Sequence, residues 1–232
     1  MGRKRAFPWR RRIAALALLA MIVAGGWAWW RMQHWAPPVE EFPIQGVLIG
    51  ARDGDTDFAA LRAIGAHFVY LEASSGAAGR DAGFARNFAR LRGGGLRYGV
   101  VHDYDPCIAA ELQAANFVTT VPRDDDLLPP AIVLERIAEG CPRVVSDAEV
   151  ESELTTFLNQ VEGHVGKPAL LKISADFEQR YGIASRMERG LWLDREWFQP
   201  DYAGRPWTLW TANSGLRTEA GPLPLRWVVA QP

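Results

Sequence analysis

The stretch Pro129-Pro130-Ala131-Ile132-Val133-Leu134-Glu135 delivers one carboxylate at the end of an apolar run. The two prolines stop whatever precedes them, and so short a run between turn residues predicts a strand buried on both faces. Glu135 then stands where the strand leaves the sheet, the end at which parallel α/β folds do chemistry. The other predicted strand ends add Glu72, His102, Asp103, Asp105 and Asp194. Carboxylates gathered at one rim suit acid–base work on a sugar, where two carboxyl groups flank the scissile bond. Trp192, Trp207 and Trp210 near the same rim could stack on sugar faces, in a chain with ten tryptophans. Blander readings stand beside these: strand-end acids are often solvated loop residues, and tryptophans are usually core. His102 is either a sugar contact or a buried, hydrogen-bonded histidine. The four histidines do not cluster with cysteines at ligand spacing, so no metal and no cofactor is expected. Ser74-Ser75-Gly76 lacks the Gly-x-Ser-x-Gly elbow of a nucleophilic serine.

The elements that must position these residues alternate. Strands are predicted at 45–49, 68–72, 97–102, 132–135, 169–173, 190–193, 207–212 and 225–229. Helices are predicted at 57–64, 82–91, 108–121, 147–162 and 175–181, the fourth capped by Asp147. Ile108, Leu112, Ala115 and Val118 are the expected inward face of the third helix. Strands alternating with helices imply a parallel sheet, and eight strands suggest closure. The expected fold class is α/β, an irregular (β/α)8-like TIM-type barrel with little room for helices in its last third. Cys107 and Cys141 each follow a predicted strand end; a disulfide across one rim is expected, with two unrelated thiols as the alternative.

Net charge is −1, but residues 1–38 hold seven basic residues and no acid. The remainder carries 19 basic against 27 acidic residues, about −8, which argues against nucleic acid as a partner. Residues 13–30 are uncharged and at roughly 1.5 Å per residue span about 27 Å, enough for a bilayer core. Trp27, Trp29, Trp30 and Arg31 close the stretch as an interfacial belt does. The expected organisation is a basic cytoplasmic flank (1–12), a transmembrane signal anchor (13–30), a linker (31–44) and a barrel domain (45–232). That places the chain as a single-pass protein of the inner membrane, with the barrel on the periplasmic side. A cleaved signal peptide is the rival, with Val23-Ala24-Gly25-Gly26 the nearest cleavage site.

Several stretches, in order, resemble glycoside hydrolase family 25, the lysozymes or muramidases. Phe68-Val69-Tyr70-Leu71-Glu72-Ala73-Ser74-Ser75-Gly76 resembles the family's Phe-Val-Tyr-Ile-Lys-Ala-Thr-Glu-Gly. Gly99-Val100-Val101-His102-Asp103 resembles Gly-Ala-Tyr-His-Phe, and residues 129–135 resemble Pro-Pro-Val-Leu-Asp-Val-Glu. Trp207-Thr208-Leu209-Trp210 resembles the start of Trp-Thr-Leu-Trp-Gln-Tyr. The resemblance covers about residues 45–229. It implies hydrolysis of peptidoglycan, or a related amino-sugar glycan, with Glu135 as general acid. Three of the family's four acids are replaced, by Leu48, Val133 and about Pro224, and the lysine of the second strand is Glu72. Glu72 is the expected replacement partner of Glu135. Apolar Leu48 and Val133 are expected to bury Glu135 and so keep it protonated. His102, Asp103, Tyr104, Trp192 and Trp210 are the expected substrate contacts. The alternative is a barrel that has lost catalysis and holds glycan, or a partner, at the membrane surface.

Overall fold

The computed structural model describes residues 9–232; Arg3, Lys4 and Arg5 of the expected basic flank lie outside the described residues. The chain divides into two compact units, Met1–Trp35 and Ala36–Pro232. The first carries one helix, α1 (Trp9–Gln33), whose stretch Arg11–Gln33 is long and apolar enough to cross a membrane. Leu16, Leu18, Leu19, Met21, Ile22 and Val23 are all exposed, so the helix is apolar all round. That is the pattern of a membrane span or a signal segment, and not of a surface helix with one dry face.

The second unit is built on β1 (Gln45–Ile49), β2 (Ala66–Ser75), β3 (Gly79–Arg80), β4 (Arg97–Asp103), β5 (Ala131–Leu134), β6 (Leu170–Ile173), β7 (Gly190–Asp194), β8 (Leu209–Leu216) and β9 (Leu225–Ala230). The order is β1-β9-β8-β7-β6-β5-β4-β2, and β1 also pairs with β2, so eight strands close on themselves. β3 lies outside the ring as a short hairpin partner of β2. From β1 through β8 the ring is parallel, but β9 runs antiparallel to both its neighbours. The few residues between Leu216 and Leu225 explain this. A parallel return needs a crossover of a dozen residues or more. The barrel is therefore closed and eight-stranded, as expected, but mixed.

Six helices, α2 (Phe58–Ala63), α3 (Phe84–Leu91), α4 (Ala110–Thr120), α5 (Asp147–Val165), α6 (Ala175–Tyr181) and α7 (Ile183–Arg186), belong to this unit. Two expectations are corrected. The cap of α5 is Ser146, whose hydroxyl accepts the Glu149 N–H; Asp147 is the first helical residue. In α4 the buried face is Ala110, Gln113, Ala114, Asn116 and Phe117, while Leu112 and Val118 are exposed. Polar side chains set that face. Gln113 bonds the backbone of Asp105 and Ile108, and Asn116 donates to the carbonyls of Ser75, Gly76 and Gly79. Buried amides with filled bonding capacity are stable in a core, and here they fasten the loops beside the barrel rim. Cys107 and Cys141 form the expected disulfide, joining the segments that follow β4 and β5.

Candidate active site

Side chains alternate between barrel interior and helix layer along each strand. The interior is packed by Leu48, Phe68, Tyr70, Val101, Ala131, Leu170, Trp192, Leu209 and Val228, with Val133 against them. Two residues further toward the rim, the same faces turn polar. Tyr70 is followed by Glu72, Val101 by Asp103, Val133 by Glu135, Leu170 by Lys172, Trp192 by Asp194 and Leu209 by Thr211. On antiparallel β9 the step runs backwards, from Val228 to Arg226. This polar layer, with Arg52, Ser74, Ser75, Arg80, Asp81 and Ser214, lines a cleft of about 500 Å³ at the C-terminal ends of the parallel strands.

The charges in the cleft sort into sets. Glu72 is held by two guanidiniums, Arg226 and Arg52, the latter at 2.9 Å. Arg226 also reaches buried Asp53 at 2.7 Å, and that carboxylate accepts the Gly50 N–H at 2.7 Å. A Cβ at position 50 would lie 2.0 Å from a Glu72 oxygen, so any side chain there would have to displace Glu72 from its guanidiniums. On the other side Lys172, 7% exposed in its side chain, binds Asp194 and stands 3.5 Å from a Glu135 oxygen. Its ammonium lies 5.9 Å from the centre of the Trp192 ring beneath it. One ammonium contacting an oxygen of each carboxylate keeps Glu135 and Asp194 close together. Asp81 accepts the Ala51 and Gly83 N–H groups at 2.7 and 2.9 Å. Asp103 stands apart: among the described residues its carboxyl has no hydrogen bond and no ion pair. Its pKa is raised by desolvation first and by the charge of Glu135 second; Asp105 and Glu72 add to this, and Arg136 opposes it.

The family model for glycosyl hydrolases family 25 matches residues 49–215. The chain belongs to that family. The protein YegX of Escherichia coli K12 is 26% identical over 145 residues, which are 62% of this chain and 51% of YegX. The chain thus spans about half the length of the curated relatives it matches. Among solved structures, a family 25 glycosyl hydrolase from Bacillus anthracis superposes with a TM-score of 0.77 at 24% identity, covering 86% of this chain and 93% of its own. A lysozyme from Streptomyces coelicolor gives 0.72 at 17% identity, over 82% and 92%. These likenesses show a shared fold.

The positions expected from the resemblance to have lost the family's acids fall in the cleft or at its edge. Leu48 and Val133 line the cleft wall, and Pro224 directly precedes β9, whose cleft-facing residue is Arg226. Glu135, Glu72 and Asp103 also line the cleft. The burial expected of Glu135 is corrected: its side chain is 57% exposed. Its apolar neighbours stand below the carboxyl and do not cover it.

The other expected contacts are placed elsewhere. His102 faces the helix layer, fully buried against Phe117 and Phe157, with Nδ1 2.8 Å from the Ser74 hydroxyl. Burial lowers its pKa to about 4. Tyr104 is buried against Phe157, and burial raises its pKa. Trp192 fills the barrel interior and donates to Thr211 Oγ1 at 2.8 Å. Trp210 packs on Phe42 and Trp207 and donates to the Arg195 carbonyl. None of these four lines the cleft. Lys172, Arg226, Arg52 and Asp53 are the residues that sequence reasoning did not single out. A signal existed for two of them. Lys172 in Leu-Leu-Lys-Ile and Arg226 in Leu-Arg-Trp are lone charges inside apolar strands, each two positions from a core residue.

Proposed function

We propose that this chain is a lysozyme-like glycoside hydrolase that cleaves peptidoglycan between amino sugars, using a rebuilt acid set around Glu135. One observation carries the reading: in a family 25 barrel, the rim cleft still collects four inward carboxylates, Glu72, Asp103, Glu135 and Asp194. Glu72 is the less able partner for Glu135, because two guanidiniums already engage it. Asp194 shares Lys172 with Glu135 and is the nearer replacement. The apolar helix anchors the chain in the inner membrane, with the barrel outside. The basic flank and the disulfide support that side, since disulfides persist in oxidising compartments. Release of reducing ends from purified peptidoglycan by the full chain in detergent micelles tests the reading. Glu135→Gln should lower the rate on the order of 100-fold or more.

The second reading, a glycan-holding barrel without catalysis, draws on Leu48 and Val133 in the cleft wall where the resembling family carries acids. It predicts that wild type and Glu135→Gln bind muropeptides equally and release nothing.

A further inference from the structure

Among the described residues four cations line the cleft, and three of them are matched by acids. Arg52 and Arg226 hold Glu72, Arg226 also reaches Asp53, and Lys172 stands between Asp194 and Glu135. The fourth is Arg80, and its partners are neutral. Its Nε donates to Asn116 Oδ1 at 3.4 Å and its Nη2 to Thr119 Oγ1 at 3.2 Å. Among the described residues Arg80 makes no ion pair, and its Nη1 has no partner. Asp81 is next to it in sequence, yet that carboxylate turns to the N–H groups of Ala51 and Gly83.

The neutral contacts fix the guanidinium without cancelling its charge. Asn116 is 4% exposed, and its Nδ2 donates to the carbonyls of Ser75, Gly76 and Gly79, so Oδ1 is the atom left to face Arg80. Thr119 Oγ1 donates to the Ala115 carbonyl at 2.8 Å, which leaves a lone pair for Arg80. The backbone of Arg80 pairs with Ser74 of β2, two residues beyond Glu72. Both N–H groups of Nη1 and the second of Nη2 remain to donate. A planar guanidinium held in this way matches a carboxylate through two parallel N–H···O bonds, and a preset donor lowers the ordering cost of binding.

We propose that Arg80 binds a carboxylate carried by the glycan strand, so that the cleft selects acidic amino-sugar glycan over neutral glycan of the chitin type. The inference rests on the peptidoglycan reading above and names the group by which the cleft recognises that substrate. Peptidoglycan offers a carboxylate in two places: on the lactyl ether of the muramyl sugar where no peptide is attached, and on the stem peptide. Chitin has neither.

The test measures binding by calorimetry to the full chain in detergent micelles, carrying Glu135→Gln to silence turnover. Three oligosaccharides of equal length are compared: peptidoglycan fragments with stems, the same glycan stripped of its stems, and a chitin oligomer. The parent should bind acidic glycan about tenfold more tightly than chitin, and the preference should shrink as salt is raised. Adding Arg80→Gln should abolish that preference while chitin binds as before, which also shows that the variant is folded. Arg80→Lys, with the charge but not the fork, should keep part of it. A loss seen with only one of the two acidic glycans supports the assignment and locates the carboxylate on the lactyl group or on the stem. Unchanged binding of all three by Arg80→Gln, or equal loss of all three, overturns it. Reducing-end release by the chain with Glu135 intact is read separately. Release without any effect of Arg80 on binding leaves the hydrolase reading standing and removes this assignment. A preference that depends on Arg80, with no release, keeps the assignment under the glycan-holding reading. A parent that binds none of the three removes the peptidoglycan reading, and this assignment with it.

Discussion

Lys172 is the residue whose surroundings constrain the site most. It is 5% exposed, and among the described residues its ammonium is paired with Asp194 and Glu135 alone. One Asp194 oxygen is buried with no hydrogen bond at all, so this carboxylate depends on the lysine for its compensation. Removing one member of such a set costs more than the pair contributes, because the remaining charge stays in place. Lys172→Met should therefore destabilise the barrel by about 1–3 kcal/mol, discounted because both carboxylates keep contact with solvent. Adding Asp194→Asn should recover most of that loss. Urea unfolding of the two variants against wild type reads the coupling, and independent, additive losses would show that the lysine does not hold the pair.

At the scale of the element, β4 shows what the sequence made legible and what it hid. Its extent and its place in a parallel run follow from an apolar stretch between turn residues, and the closed ring from strand count. Which side of the strand a residue faces follows from parity, and parity separates His102 from Asp103. Nearness to a strand end suggested sugar contact for both, yet His102 packs on α4 and α5 while Asp103 lines the cleft. The same parity puts Trp192 in the core beneath Asp194. The buried face of α4 was illegible because amides, and not aliphatics, set it. The antiparallel turn of β9 depended on a loop length whose consequence appears only once the ring closes. The buried histidine has a measurable effect on stability. Its folded pKa, about 4, lies below the ordinary 6.5, so the fold favours the neutral ring. Its contribution is complete above pH 6.5 and is lost as pH falls from there toward 4, by about 3 kcal/mol. His102→Gln lacks this loss. The stability gap between wild type and variant should narrow by that amount between pH 7 and pH 4, and a constant gap would mean that the folded protein takes up the proton as readily as the unfolded chain.

At the scale of the whole molecule, the division after Trp35 matters because residues 36–44 are counted with the barrel. Phe42 is 4% exposed and packs against Trp207 and Trp210, and Gln45 donates to the carbonyls of Pro37 and Phe42 while accepting from the Trp227 indole. The segment thus packs against the barrel and supports two of the tryptophans that the sequence offered as sugar platforms. A fragment of residues 36–232 keeps this packing and should unfold in one transition at the temperature of the barrel in the full chain. A fragment of residues 45–232 loses Phe42 and uncovers two indoles. Loss of one large buried aromatic costs about 3–5 kcal/mol, and each kcal/mol shifts Tm by about 2–4 °C in a domain of this size. The shorter fragment should therefore melt at least about 6 °C lower and scatter light on heating, as exposed aromatic surface promotes association. Equal melting of the two fragments would make residues 36–44 a plain tether, whereas the packing of Phe42 requires them to be part of the fold.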